Sequence, residues 1–283
     1  MNEPRVIIYT PDSLLTSPLR MVREMLLDLA SSRELAWRLM VRDLSAQYRQ
    51  TFLGFFWAII LPLSNTVVWI FLSRSGVVNV SDTPLPYPVY VFTGTMLWAI
   101  LMDALNAPLQ IVSASKVMLA KINFPREALV VAGIYQTSVN ALIKVTLLLI
   151  ALLVMGIRPG WGLLLFPIGV LSLILVGTLI GLALTPVGLL YTDVGKGIPL
   201  LMQFLMYLTP VVFAMPKEGL SATLFQLNPL TPLILTTRDW FTGFTPEHLA
   251  YFVVVNLVSM GLLLISWVVF RLAMPILIER VSS

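Results

Sequence analysis

The sequence predicts an all-helical protein that crosses a membrane several times. Of its 283 residues, 58% are hydrophobic and 11% are charged, whereas about a quarter of the residues in soluble domains are charged. The apolar residues form long blocks between short polar stretches, and residues 163–190 include no charged side chain. About 20 apolar helical residues cross the roughly 30 Å hydrocarbon layer. The blocks are therefore predicted membrane spans.

The hydropathy pattern predicts six spans, at residues 55–72, 87–102, 128–155, 163–190, 198–215 and 249–270. They divide the chain into an N-terminal segment (1–52), a transmembrane domain (53–270) and a short tail (271–283). Thirteen lysine and arginine residues then lie in the stretches on the side of the termini and four in the opposite loops. Because positive charge favours the cytoplasmic side, both termini are predicted to be cytoplasmic.

Residues 216–246 connect the fifth and sixth predicted spans. The stretch 221–237 is apolar, but it contains Asn228-Pro229 and Pro232. Proline removes backbone hydrogen bonds that lipid cannot replace. We therefore expect a re-entrant pair of short helices that enters the outer leaflet, and not a seventh span.

The N-terminal segment is predicted to form two amphipathic helices. The first begins near Pro18, and the second near Ser31, with Glu34 at capping-box spacing. One face of the second helix is apolar: Trp37, Met40, Val41, Leu44 and Tyr48. Its neighbouring face is basic: Arg38, Arg42 and Arg49. This pattern is typical of an interfacial helix. The helix serves either as an anchor alone or as a site for lipid phosphates or an acidic partner, with Tyr48 beside the arginines.

Enzymatic motifs are missing from the sequence. The chain has no cysteine and one histidine, His248, so thiolate chemistry is excluded and a metal site is not expected. It has no phosphate-binding glycine-lysine loop, no His-Glu-x-x-His and no Gly-x-Ser-x-Gly. We predict no catalytic residue, cofactor or metal in this chain; any nucleotide hydrolysis needs a separate subunit.

Several polar residues fall within the predicted spans, where they are costly. Gln136, Asn140 and Lys144 form one helical stripe. The stripe either faces a cavity or joins helices, with Lys144 paired to an acid or to backbone carbonyls. Asp103 is expected at the inner end of the second span. Gly177 and Gly181 have the spacing of a close helix contact.

The fifth predicted span is short and contains Pro199 and Pro210. Such a span suits either a bent structural helix or the lining of a pathway. The candidate lining residues are Trp69, Gln203, Tyr207, Thr209 and Phe213. The three aromatic rings offer apolar faces on which a sugar ring can lie. Most other aromatic residues near span ends, Tyr90 among them, are expected in interfacial belts.

Five motifs in order resemble those of the bacterial polysaccharide-export ABC permeases, the exporters of O-antigen, capsule and teichoic acid. The motifs are RDLSAQYRQTFLG (42–54, followed by Trp57 and Leu61-Pro62), KINFPRE (121–127), YTDV (191–194), TPVVF (209–213), and LNPLTP (227–232) with Arg238. The chain departs from the family pattern at Gln47 and Thr192, where arginine is usual, and at Thr209, where serine is usual. The resemblance covers about residues 30–240.

The resemblance implies a half-transporter. Two copies form a channel, and two separate ATPase subunits, which bind ATP and magnesium, dock on the cytoplasmic side. The segment 106–124 implies a coupling helix, and the residues implied in coupling are Lys116, Lys121, Phe124, Pro125, Arg126 and Glu127. The residues implied in the outer gate are Asn228, Pro229, Pro232 and Arg238. The cargo implied is a glycan, often linked to undecaprenyl diphosphate.

We therefore expect the permease subunit of a polysaccharide exporter in the bacterial inner membrane. Membrane lipids are expected as partners and nucleic acid is not. An ABC exporter of lipids or small molecules remains an alternative from the same class. An integral membrane glycosyl- or phosphotransferase and a structural scaffold are alternatives from other classes; a transferase needs clustered carboxylates or a metal site, whereas Asp103 and Asp193 stand apart in the sequence.

Overall fold

A computed structural model describes residues 18–49, 52–77, 83–122, 124–157 and 159–282. Every regular element within these ranges is a helix, which confirms the all-helical class. The helices are α1 (Pro18–Ser31), α2 (Arg33–Arg49), α3 (Trp57–Arg74), α4 (Tyr87–Ala114), α5 (Lys116–Lys121), α6 (Glu127–Val154), α7 (Phe166–Leu190), α8 (Thr192–Tyr207), α9 (Gly219–Leu227), α10 (Leu230–Thr242) and α11 (Leu249–Ser282). Short 3-10 turns at Gly54–Phe56 and Trp161–Leu164 precede α3 and α7.

Four of the described helices are long and apolar enough to cross a membrane: α4, α6, α7 and α11. They correspond to the second, third, fourth and sixth predicted spans. The counterparts of the first and fifth, α3 and α8, have 18 and 16 residues. A multi-pass helical protein is therefore observed, and the count of six spans stays a prediction.

Two helices continue beyond the predicted spans, because polar residues do not end a helix by themselves. The helix α4 continues past residue 102 to Ala114, so Asp103 lies inside it and not at its end. The helix α11 continues through the predicted tail to Ser282. In both cases the backbone remains helical while the side chains change from apolar to polar.

The helix at the fifth predicted span ends earlier than predicted. The helix α8 begins at Thr192 and ends at Tyr207, and residues 208–218 are not helical. Pro210 lacks a backbone N–H, and its ring would clash with the carbonyl one turn earlier. Pro210 therefore favours an end of the helix here, although α8 accommodates Pro199 in its interior. The end of α8 leaves irregular backbone at the end of an apolar segment.

The helix α4 forms the centre of the molecule and packs most extensively against α7. Its buried residues include Leu97, Leu101 and Leu105. On α7, a Cβ added to Gly177 would lie 2.6 Å from the carbonyl oxygen of Leu101. The predicted packing role of the two glycines is therefore confirmed: without side chains, they let the two helices approach closely.

The N-terminal helices lie against the core and differ from the prediction in detail. The residues of α2 that pack towards α6 are Ala36, Leu39 and Met40, whereas Trp37 remains exposed. The predicted capping box is wrong, because the Ser31 hydroxyl donates to the carbonyl of Asp28. The apolar face of α2 is thus divided between a contact with the protein and an exposed strip.

The segment between α8 and α11 contains the two short helices that the prolines predict. The helix α9 ends before Asn228, α10 begins at Leu230, and nearly all of α10 is buried. The depth of this pair in a membrane stays a prediction.

The close contact between α4 and α7 gives a test of the fold. A Cβ at Gly181 would lie 2.1 Å from the carbonyl oxygen of Leu105, so Gly181→Ala forces the helices apart. We expect a loss of about 1–3 kcal/mol of stability, measured as a lower unfolding temperature of the purified protein. Gly261→Ala in α11 is the control, because no atom lies within 4 Å of its added Cβ; it should be neutral or stabilising. Equal behaviour of the two variants would contradict this packing.

Candidate functional site

The broken end of α8 is held by side chains from two other helices. Within residues 208–213 the carbonyls of Leu208, Pro210, Val211 and Phe213 have no helical partner and accept side-chain hydrogen bonds instead. Irregular backbone at membrane depth is tolerated only where such groups are satisfied by protein or water. The donors come from α4, from α10 and from the α9–α10 junction, so this segment joins the short helix pair to the core.

Arg238 is the principal donor. It is 1% exposed, its Nη1 donates to the carbonyl of Pro210 at 2.9 Å, and its Nη2 donates to that of Val211 at 2.9 Å. Its guanidinium lies 3.8 Å above the ring centre of Tyr90. A buried cation is costly unless it is compensated, and two carbonyl dipoles and an aromatic face supply that compensation.

Tyr90 completes this arrangement from α4. Its hydroxyl group is 3.1 Å from the carbonyl oxygen of Pro210 and 3.0 Å from that of Phe213. One turn later, Gly94 leaves room for the loop: an added Cβ would lie 2.1 Å from the Val211 oxygen. Tyr90 is one of the aromatic residues near span ends, most of which are predicted to lie in interfacial belts, but it is 2% exposed and packs inside the protein. The spacing of Tyr90 and Gly94 on one helix face was the available signal.

Asn228 holds the other end of the segment. Its Nδ2 donates to the Leu208 carbonyl at 3.0 Å and lies 2.8 Å from the Thr209 hydroxyl oxygen, while its Oδ1 accepts from the Leu230 amide. Thr209 is fully buried and also donates to Leu205. The structure therefore brings the candidate lining residue Thr209 close to the implied gate residues Asn228 and Arg238. These residues belong to separate motifs in the sequence. Pro229 and Pro232 start α10 beside them.

Three aromatic candidates form a cluster next to this segment. The ring of Trp69 in α3 meets that of Tyr207 edge-on at 6.2 Å and that of Phe213 at 5.6 Å. Tyr207 is exposed, and Trp69 and Phe213 are half-buried. Gln203 lies one turn before Tyr207 and is exposed. The cluster and Gln203 present ring faces and an amide on a surface of α3 and α8.

The pKa of Asp239, the residue after the buried Arg238, is shifted from its ordinary value. Burial raises the pKa of Asp239 to about 6; the charge of Arg238 opposes this rise and Glu247 adds to it. Asp239 follows Arg238 in α10, outside the candidate spans.

At the opposite end of the molecule, the basic face of α2 meets the implied coupling segment. Arg38 is exposed and pairs with Glu34 at 2.6 Å. The Nη2 of Arg42 lies 3.1 Å from the hydroxyl oxygen of Ser115, the residue before α5, and its Nε pairs with Asp43. The side chains of Tyr48 and Arg49 lie outside the described residues. Arg42 therefore links α2 to the coupling segment.

The implied coupling residues fall into an exposed and a buried group. The short helix α5 exposes Val117 and is followed by exposed Ile122. Lys121 is exposed, and the residues with intermediate exposure are Lys116, Phe124, Pro125 and Arg126. Glu127, in contrast, is 3% exposed and accepts a hydrogen bond from Arg271 at 2.5 Å.

Arg271 joins three helices at this end. Besides Glu127 of α6, it pairs with Asp28 of α1 at 2.8 Å. The ion pairs connect α1, α6 and α11 around the base of the coupling segment. The carboxylate of Glu127 is therefore bound within the molecule by Arg271.

The polar stripe on α6 faces α4. The Nζ of Lys144 lies 2.6 Å from the Oδ2 of Asp103, which confirms the expected pairing of Lys144 with an acid. Gln136 and Asn140 line a cavity beside this pair. The structure thus unites two features that were considered separately in the sequence.

The fold and these sites define a multi-pass helical membrane protein with a broken helix pinned at one end and an exposed short helix at the other. No protein-family model matches the chain. The chain is 26% identical to an O-antigen export system permease protein RfbA of Myxococcus xanthus over 226 residues, which cover 79% of this chain and 84% of that protein.

Two proteins of the same name from Klebsiella pneumoniae are each 24% identical to it. The similarity to one of them covers 82% of this chain and 91% of that protein. The similarity to the other covers 71% of this chain and 77% of that protein. These similarities along most of the chain support the resemblance to the polysaccharide-export ABC permeases.

The binding of the residue 208–213 carbonyls by Arg238 can be tested with a single substitution. Arg238→Lys keeps the charge but cannot span both carbonyls as the planar guanidinium does. We expect a loss of about 2 kcal/mol or more, because a buried carbonyl becomes unsatisfied, seen as a lower unfolding temperature and faster protease cleavage within residues 208–218. Arg74→Lys, at an exposed arginine, is the control. An unchanged unfolding temperature for Arg238→Lys would show that the guanidinium is not needed.

Proposed function

We propose that this chain is the membrane subunit of an ABC exporter that carries a polysaccharide of the O-antigen type across the bacterial inner membrane. The observation that carries the proposal is the partly exposed cluster of Trp69, Tyr207 and Phe213, fixed beside the pinned end of α8. The names of the related permeases support this cargo.

The cluster suits a neutral polymer that must slide. Each ring offers an apolar face to a pyranose, and the edge-on packing of the three rings holds them in place. Thr209 supports them through the backbone and not as a lining residue, because its hydroxyl is buried. Arg238 and Asn228 hold the same loop, so movement of the short helix pair at the outer gate is transmitted directly to the rings.

The driving force comes from a separate ATPase with bound ATP and magnesium. Val117 and Ile122, near Lys116 and Lys121, form an exposed apolar and basic surface on and after α5 that suits a cytoplasmic partner. Arg42 connects the start of this surface to α2, and α5 packs against α11. The ion pairs of Arg271 then join α11 to α1 and α6. Docking of an ATPase here would therefore move helices and not only a loop. Two copies of the chain and two ATPase subunits make up the transporter.

Genetic replacement tests the function. In a host whose own copy of the gene is deleted, the wild-type chain with its neighbouring ATPase should restore surface polysaccharide. Trp69→Ala should lower export about two- to tenfold, the range expected from the loss of one ring contact. Trp161→Ala, at an exposed tryptophan, is the matched control. Normal surface polysaccharide in the deletion host, or failure of the wild-type chain to restore it, would refute the proposal.

The arginines of α2 separate cargo binding from ATPase docking. An undecaprenyl diphosphate head is anionic and suits Arg38, Arg42 and Arg49. Arg38→Glu should reduce export while the ATPase still co-purifies, because Arg38 contacts Glu34 of its own helix. Arg42→Glu should reduce both, because Arg42 also reaches Ser115. Arg74→Glu is the control on the far end of α3. Loss of co-purification in Arg38→Glu would assign that residue to the ATPase instead.

A further inference from the structure

A polar cavity of about 140 Å³ lies between α2, α4 and α6. Its lining is almost entirely polar and consists of Gln47, Asp103, Asn106, Ala107, Gln110, Gln136, Thr137 and Asn140. We propose that this cavity is a binding site for the neutral, hydroxyl-bearing ring of a sugar. The proposal rests on the proposed function and names a second contact for the same class of cargo, distinct from the aromatic cluster.

The cavity contains a buried polar group that has no partner. Thr137 is 1% exposed, and its Oγ1 makes no hydrogen bond within the described residues. A buried hydroxyl left unpaired costs free energy, and such groups are normally satisfied by protein or by water. The volume exceeds the roughly 30 Å³ share of one water molecule. The cavity therefore has room and unsatisfied bonding capacity for a polar guest.

The lining offers both donors and acceptors. The side chains of Gln47, Gln110, Gln136 and Asn140 carry amides, each with two N–H donors and a carbonyl acceptor. Asn106 uses one N–H on the Met102 carbonyl at 2.8 Å, which leaves its carbonyl oxygen to accept. A sugar hydroxyl both donates and accepts hydrogen bonds. This mixture of amide donors and acceptors therefore matches a polyol better than a ligand that only donates or only accepts.

The charges exclude the anionic part of a lipid-linked cargo. The one ionised group in the lining is Asp103, and its partner Lys144 is already bound to it at 2.6 Å. The guanidinium of Arg42 is engaged by Asp43 and Ser115. A diphosphate needs free cationic donors, whereas here it would meet a carboxylate. The paired lysine equally disfavours a metal cation at that carboxylate.

The opening lies beside α2. Gln47 and Gln110 at the rim are exposed, whereas Thr137 at the base is buried. This end of the molecule also carries α5 and the basic face of α2. A sugar in the cavity would therefore sit next to the arginines proposed for the diphosphate, as the first residues of a lipid-linked glycan would require.

Thr137→Val separates a binding role from a structural one. Valine has nearly the same shape and lacks the hydroxyl, and the lost hydroxyl has no hydrogen-bond partner within the part of the chain that the structure describes. We expect an unchanged or higher unfolding temperature and export lowered about two- to tenfold, the equivalent of one hydrogen bond. Thr146→Val, the same change at an exposed position of α6, should leave both unchanged. Export equal to that of Thr146→Val, or a fall in unfolding temperature that accompanies the export loss, would overturn the proposal.

Cysteine labelling identifies the ligand without relying on export. The chain has no cysteine, so Asn140→Cys creates a single thiol in the cavity of the full complex. A small neutral maleimide should label it, and methyl α-D-glucopyranoside or methyl α-D-mannopyranoside at high concentration should slow labelling, whereas inorganic pyrophosphate should not. A thiol that does not react, glycosides without effect, or protection by pyrophosphate would each overturn the proposal. If the wild-type chain restores no export yet the glycosides protect, the proposed function fails and the sugar site stands.

Discussion

The fold depends on how the carbonyl groups freed at the end of α8 are satisfied. The helix ends before Pro210, inside an apolar segment, where an unpaired carbonyl costs several kcal/mol because lipid offers it no hydrogen-bond donor. Arg238 and Tyr90 bind these carbonyls, and Asn228 binds the one before them. Because the donors lie on α4, on α10 and between α9 and α10, the break in one helix fixes the position of the others. The buried arginine charge is tolerated for the same reason, since the carbonyl dipoles face it.

At the opposite end of the molecule, ion pairs hold the helices together. Arg271 binds Glu127 and Asp28, and Lys144 binds Asp103, so each pair joins helices that are distant in sequence. Removal of one partner from such a pair would leave the charge of the other partner without compensation in an apolar environment. These contacts join α1 and α6 to α11 and α4 to α6, and α5 packs against α11. The proposed ATPase surface is therefore part of the helical framework.

Some elements were predictable because their signals are local. Pro18 marks the first turn of α1, Pro229 precedes α10, and Gly177 and Gly181 mark the close contact of α7 with α4. The ends of the helices were less predictable from the ends of the apolar blocks. Asp103 and Arg271 interrupt apolar blocks, yet both lie inside continuous helices, because a helix needs only its own backbone hydrogen bonds.

By itself, the sequence determined the helical class, the apolar blocks and the ordered motifs, because helical periodicity and proline act over a few residues. The tertiary structure decided which of those residues meet. It placed Arg238 on the carbonyls of Pro210 and Val211, chose Ala36, Leu39 and Met40 as the buried face of α2, and set the stripe of Gln136 and Asn140 opposite Asp103. Such pairings join residues tens of positions apart, and they depend on how whole helices pack, which no local pattern specifies.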